Sequence, residues 1–209
     1  MSRRGKLLVV SGPSGVGKSS VIDGVLGCCT SRFSVSATTR APRTGEVDGR
    51  EYHFVDREAF ADLIQSGGML EWAEYGGHFY GTPRAPVVDL LERGVHVVLD
   101  IENDGAHQVK AAYSEAVLVF VLPPSRAELE RRLRGRGDTA GADIERRLAV
   151  ADEQIADAFG FYDHLVVNDD IETAISRIVS ILQDPKTPNE GSDASPAPPD
   201  AAATRSDTE

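Results

Sequence analysis

The sequence predicts an α/β protein: a parallel sheet flanked by helices, carrying a small, mainly antiparallel insertion. Three observations predict it. A short apolar run, KLLVV at 6–10, leads through a glycine loop into a helical pattern at 19–26. Two continuous apolar runs, HVVLDI at 96–101 and AVLVFVL at 116–122, lack polar alternation and read as strands covered on both faces. Residues 34–82 lack the strand–helix rhythm of the rest and read as an insertion before the second parallel strand.

The elements follow in order. SVSATT (34–39) and EYHFV (51–55) read as strands separated by a polar loop. Asp56 is placed to cap a helix over 57–65 that Gly67-Gly68 ends. LEWAEY (70–75) and HFYGT (78–82) bracket Gly76-Gly77, a hairpin signal. A helix over 83–93 closes at Gly94. Ser125 and Glu128 form a capping box opening an arginine-rich helix. A glycine-rich bend at 135–141 precedes a helix from about Asp143 to Ala158, then a strand, HLVVN at 164–168, and a helix over 171–182. The stretch 183–209 has five prolines, an excess of acids and no large apolar side chain, and is expected to be disordered.

The chain has 209 residues, one domain's length, and a formal charge of −11. An acidic surface argues against a nucleic-acid polymer as partner, because such binding rests on neutralising many phosphates. No run approaches the roughly 20 apolar residues of a membrane helix. Cys28 and Cys29 are adjacent and have no metal-ligand spacing, so a reduced, cytoplasmic protein is expected. The basic residues are 18 Arg and 4 Lys, and seven of the arginines fall in 126–147. Arginine forks suit small phosphorylated ligands.

Gly12, Pro13, Ser14, Gly15, Val16, Gly17, Lys18 and Ser19 match G-x-x-x-x-G-K-[ST] at every fixed position, between a strand and a helix. Glycines let consecutive N–H groups turn inward around phosphate oxygens, and the following helix adds its positive end. Lys18 is expected to reach the terminal phosphates, Ser19 to ligate Mg2+, and Ser20 to complete the cradle. The loop predicts a nucleoside triphosphate site but leaves open hydrolysis, transfer or switching.

Ser36-Ala-Thr-Thr-Arg40-Ala-Pro-Arg43, then Tyr52, Leu70-Glu71-Trp72 and Tyr80-Gly81-Thr82 supply the acceptor side. With LRGRG at 133–137 and VVNDD at 166–170, these segments resemble a guanylate kinase in order and spacing over residues 6 to about 182. The resemblance implies transfer of the γ-phosphoryl group of ATP to GMP, with Mg2+. It implies that Arg40, Arg43, Tyr52 and Tyr80 hold the GMP phosphate, and that Glu71, Ser36 and Thr82 read guanine. A carboxylate's two acceptors match guanine N1–H and the 2-amino group, whereas adenine presents a lone pair at N1. Arg132, Arg136 and Arg147 correspond to arginines of a helical lid, and Lys18 and Arg40 join them in catalysis. Asn168 and Asp169 resemble the loop against adenine. Asp100, ending HVVLD, is assigned either to the Mg2+ shell, directly or through water, or to the GMP side.

This divides the chain into core with phosphate loop (1–33), GMP-binding insertion (34–82), core (83–134), lid (135–147), core (148–182) and tail (183–209). No general base is needed, because a nucleotide phosphate is already an anionic nucleophile. Arg131 and Arg134 read as solvated partners of Glu128 and Glu130. Glu102-Asn103-Asp104-Gly105 departs from the family, which commonly has an apolar residue and Gln before the Gly, and places two extra polar groups near the acceptor side. Two other functions fit parts of the pattern: a kinase for another phosphorylated acceptor, and a non-catalytic phosphopeptide-binding module on this fold.

Overall fold

The computed structural model describes residues 4–135 and 141–183. Arg136, the rest of the bend at 136–140 and the tail from 184 lie outside them. Leu7 to Ser11 form β1, every residue buried, and the chain passes through the glycine loop into α1 (Lys18–Cys28). β2 (Ser31–Phe33) returns to the same sheet. The insertion then builds β3 (Ala37–Thr38), β4 (His53–Phe54), α2 (Arg57–Gln65), β5 (Met69–Tyr75) and β6 (His78–Pro83). The core resumes with α3 (Arg84–Glu92), β7 (His96–Asp100), α4 (Asn103–Ala112), β8 (Val117–Leu122) and α5 (Arg126–Arg134). It ends with α6 (Gly141–Ala158), β9 (His164–Val167) and α7 (Ile171–Gln183).

The large sheet is parallel throughout, in the order β2-β7-β1-β8-β9. Strand alternation divides the core in two. Leu7, Val9, Leu118 and Phe120 face a layer that includes Val87, Leu91 and Val109 of α3 and α4. Leu8, Val10, Val119 and Val121 face α1 and α7. Cutting a fully buried side chain such as Leu8 back to alanine costs about 2–5 kcal/mol. Core substitutions would therefore report stability before chemistry. The strands' carboxyl ends carry the glycine loop after β1 and Asp100 at the end of β7, the edge where such sheets bind ligands.

The small sheet has the order β4-β3-β6-β5. It is mainly antiparallel, with one parallel pair, β3 with β4. Gly76 and Gly77, at φ 58° and 78°, make the β5–β6 hairpin in a conformation that side chains disfavour. The two expected strands at 34–39 and 51–55 shrink to two residues each, because the polar loop between them leaves only that much to pair. Ser31–Phe33, just upstream, is the missed edge strand of the large sheet; only Ser31 in it is buried, so it shows no apolar run. The helix α4 was also missed. A parallel β7-to-β8 connection needs a crossover helix, but its first turn, Asn103-Asp104-Gly105, is polar and glycine-containing.

Asp56 caps as read, and the Ser125 capping box forms by half. Asp56 Oδ1 accepts from Ala59 N at 2.8 Å. Ser125 Oγ accepts from Glu128 N at 3.1 Å, while the Glu128 carboxylate turns to Arg131 and Arg132 instead of closing the box. No helix among the described residues is long and apolar enough to cross a membrane, and both cysteines are free.

Candidate active site

The glycine loop is a backbone-lined recess of about 210 Å³, bounded by Pro13, Ser14, Gly15, Gly17 and the first turn of α1 through Ser20. Gly17 sits at φ 92° and caps α1 with no side-chain hydrogen bond, leaving the first-turn N–H groups to an anion. The residue must be glycine for a second reason: a Cβ there would stand 2.5 Å from Asn168 Nδ2. Asn168, 5% exposed, donates from that nitrogen to Val16 O at 2.8 Å and so braces the loop from behind. Arg132 braces it too, donating to Val16 O (3.2 Å) and to Asn168 O (3.1 Å) while Glu128 Oε1 accepts from its Nε (2.7 Å).

Lys18 Nζ lies 2.7 Å from Asp100 Oδ1. Both side chains keep some solvent contact, and such pairs contribute about 1 kcal/mol or less. A polyphosphate therefore competes easily for the ammonium. Ser19 and Ser20 are exposed at the start of α1, as is Asp169 beyond β9.

The residues expected on the acceptor side act through side chains. The Arg40 fork is closed on Glu46 by two hydrogen bonds, Nη1 to Oε2 at 3.0 Å and Nη2 to Oε1 at 2.9 Å. Glu46 Oε2 also accepts from Arg43 N at 2.6 Å. The Arg40 hydrogen bond, with help from that N–H, holds the Glu46 carboxyl below its ordinary range. Arg40 stacks 5.5 Å from the Tyr52 ring centroid, and Tyr52 meets Tyr80 edge to face at 6.0 Å. Arg43 is exposed on the same loop, and Ser36 is half-buried where its carbonyl accepts from His53 N.

Glu71 is buried on β5, 8% exposed, and its Oε1 accepts from Thr82 Oγ1 on β6 at 2.6 Å. The hairpin register pairs Glu71 directly with Thr82. Burial pushes the Glu71 carboxyl pKa up, and the Thr82 hydrogen bond opposes the rise. A carboxylate kept in such a place costs stability when ionised.

A family model described as guanylate kinase matches residues 4–185. The chain belongs to the guanylate kinase family. It is 51% identical over 179 residues to a guanylate kinase of Thermus thermophilus, a match covering 86% of this chain and 81% of the relative. A guanylate kinase of Trichodesmium erythraeum is 48% identical over 183 residues, covering 85% and 96%. The crystal structure of guanylate kinase from Anaplasma phagocytophilum superposes with a TM-score of 0.66 at 37% identity, covering 89% of this chain and 88% of that one.

Within that family frame, the expected arginines divide. Arg132 lies beneath the phosphate loop. Arg147 lies on α6, where Asp143 Oδ2 accepts from its Nε at 2.8 Å, and Asp143 also takes Arg146. Arg131 and Arg134 pair with Glu128 and Glu130 on the surface, as read. Helices α5 and α6 pack through Leu129, Leu133, Ile144 and Leu148, so the two helices share a small core of their own. Arg136 lies outside the described residues.

Sequence reasoning missed Glu46, which orients Arg40. The spacing Arg40-x5-Glu46 in a loop was the available signal. It also missed that Asn168 serves the loop's backbone. Asn103 does not face the acceptor side: its amide is spent on α6 and Tyr162.

Proposed function

We propose that this chain transfers the γ-phosphoryl group of ATP to GMP, giving ADP and GDP. The observation that carries the reading is the buried Glu71–Thr82 pair in a chain that also has an intact phosphate loop. Ionised Glu71 offers two acceptors to guanine N1–H and the 2-amino group, and Thr82 and Ser36 complete the base contacts. A site built on such hydrogen bonds rejects a base that lacks them by about 10⁴-fold. Arg40, Arg43, Tyr52 and Tyr80 supply two forks and two phenols to the GMP phosphate, a dianion near neutral pH. Asp100 serves either the metal or the acceptor.

The donor phosphates are cradled by residues 12–20. Lys18 leaves Asp100 to meet them, which the weak ion pair permits. Ser19 and Asp100 present a hydroxyl and a carboxylate, the oxygen donors a hard divalent cation prefers, and they would hold Mg2+ directly or through water. When bound, the ion neutralises phosphate charge. The acceptor phosphate attacks in line without a base, and Lys18, Arg40, Arg132, Arg136 and Arg147 position the groups and offset developing charge. Asn168 and Asp169 line the adenine side. The reaction is soluble nucleotide chemistry suited to the cytoplasm.

The test is ADP release from MgATP with GMP, AMP, CMP and UMP offered in turn. Turnover with GMP alone is expected. Equal rates with GMP and AMP would overturn the guanine assignment, and no turnover with any acceptor would favour a non-catalytic module.

A further inference from the structure

Asn103 is a polar side chain in an apolar layer, 9% exposed at the start of α4. Burying an amide is unfavourable unless its groups are paired. Here they are. Nδ2 donates to Gln154 O at 3.0 Å and to Asp157 Oδ2 at 2.7 Å, both near the end of α6. Oδ1 accepts from the Tyr162 hydroxyl at 3.2 Å. Burial drives the Tyr162 pKa up to about 12, so the phenol remains a donor. Asp157 Oδ2 also meets His107 Nε2 at 3.3 Å, and the His107 ring stacks on Phe161 at 3.6 Å. Two consecutive turns of α4 are thereby tied to the end of α6.

The same helix touches the acceptor strand. Gln108 clasps the Trp72 backbone in both directions, accepting from its N–H and donating to its carbonyl, each at 3.0 Å. Gly105 comes so close to the guanine-reading residue that a Cβ on it would lie 3.3 Å from Glu71 Oε2. Helix α4 therefore has Glu71 on one side and the C-terminal turns of α6 on the other. Ten residues earlier on α6 stands Arg147, about 15 Å away along a continuous helix.

We propose that Asn103 is a positioning residue for phosphoryl transfer, linking the strand that reads the acceptor base to the helix that carries the lid arginine. The proposal rests on the roles given above to Glu71 and Arg147. An apolar side chain at 103 would still fill the space between α4 and α6. It would set no fixed rotation between them, because dispersion contacts are non-directional. Two donated and one accepted hydrogen bond do set one. Seating a base against Glu71 and Gly105 then biases the orientation of α6, and with it Arg147.

The test uses the full chain with Asn103→Leu, Tyr162→Phe and Asp157→Asn. Steady-state kcat and KM, GMP Kd with and without a non-hydrolysable ATP analogue, and thermal unfolding are measured together. In the wild type the analogue is expected to tighten GMP binding. Asn103→Leu should lower kcat, and diminish that tightening, by about 5-fold or more, the low end of ordinary coupling between sites, with GMP Kd alone changed less than about 2-fold. Tyr162→Phe should act in the same direction, and Asp157→Asn, which keeps an acceptor oxygen for Asn103, should resemble the wild type.

A lowered unfolding temperature with unchanged kcat and unchanged tightening means a purely structural role and overturns the link. A wild type whose GMP affinity ignores the analogue also overturns it. Should Asn103→Leu not fold, Tyr162→Phe decides, since it removes a single oxygen. Glu71→Gln separates the two levels. If it keeps full preference for GMP over AMP, the base-reading role fails. If that preference collapses while Asn103→Leu behaves as the wild type, the link fails and the base reading stands.

Discussion

The phosphate loop and the cluster around Arg40 and Glu71, proposed as donor and acceptor sites, are made of different material. The cradle is backbone: the glycine-rich main chain at 12–19, fixed by glycine geometry and braced through Val16 O by Asn168 and Arg132. The acceptor site is side chains gathered from separate segments, each oriented by another side chain: Arg40 by Glu46, Glu71 by Thr82, Tyr52 by Tyr80. A backbone cradle recognises phosphate, which every nucleotide has. Telling one base from another needs donors and acceptors matched to the base edge. On the proposed function, generic chemistry is carried by main chain and discriminating chemistry by paired side chains.

The largest effect should come from removing the cationic side chain of the phosphate loop. Lys18→Ala is expected to lower kcat by about 10³-fold or more, the scale for losing a charge aimed at the transferring group. GMP Kd by calorimetry should stay close to wild type, because the acceptor side does not include Lys18. Comparable losses in both measurements would mean that the two sites are not separable.

The next effect falls on selectivity. Glu71→Gln should cut the preference for GMP over AMP by about 10²-fold or more. It should leave the unfolding temperature unchanged or slightly raised. Gln keeps an oxygen for Thr82 Oγ1 and removes a carboxylate whose burial opposes ionisation. The sign follows from the raised folded pKa: the folded state holds the Glu71 proton more tightly than the unfolded chain. This residue therefore costs stability as pH rises through its unfolded pKa, up to its higher folded value. Function runs the other way. The kcat/KM for GMP should fall as pH drops through that raised pKa, beyond the fall caused by protonation of GMP itself. The Glu71→Gln profile, sharing only the substrate's titration, isolates the difference.

A smaller effect would sharpen the contrast. Glu46→Gln leaves Arg40 its charge but weakens the two-point clasp, and GMP KM should rise about 10-fold with kcat for saturating substrates changed far less, as for a lost charge-assisted pair of hydrogen bonds. Equal changes in KM for ATP would show that the orienting carboxylate serves both sites.

Much of this was legible in the chain itself wherever the signal is local. The motif at 12–19, the Asp56 and Ser125 caps and the Gly76-Gly77 turn are each contained within a few consecutive residues, and each folds as read. Strands β1, β7 and β8 announced themselves because burial on both faces demands unbroken apolar runs. Where burial is one-sided or polar, the signal faded. Ser31–Phe33 is an edge strand with a single buried residue, and α4 opens on Asn103-Asp104-Gly105.

The candidate site divides along the same line. Residue types and spacing determined the phosphate loop, and resemblance nominated Arg40, Glu71 and Arg147. Only the tertiary structure decided which group orients which. Arg132 reaches a carbonyl 116 residues away, Asn168 one 152 residues away, and Asn103 an aspartate 54 residues on. Periodicity and turn chemistry are properties of neighbours along the chain and survive in a bare sequence. The partner of a buried polar group is whichever atom the closed fold brings within about 3 Å, and no local pattern encodes that choice.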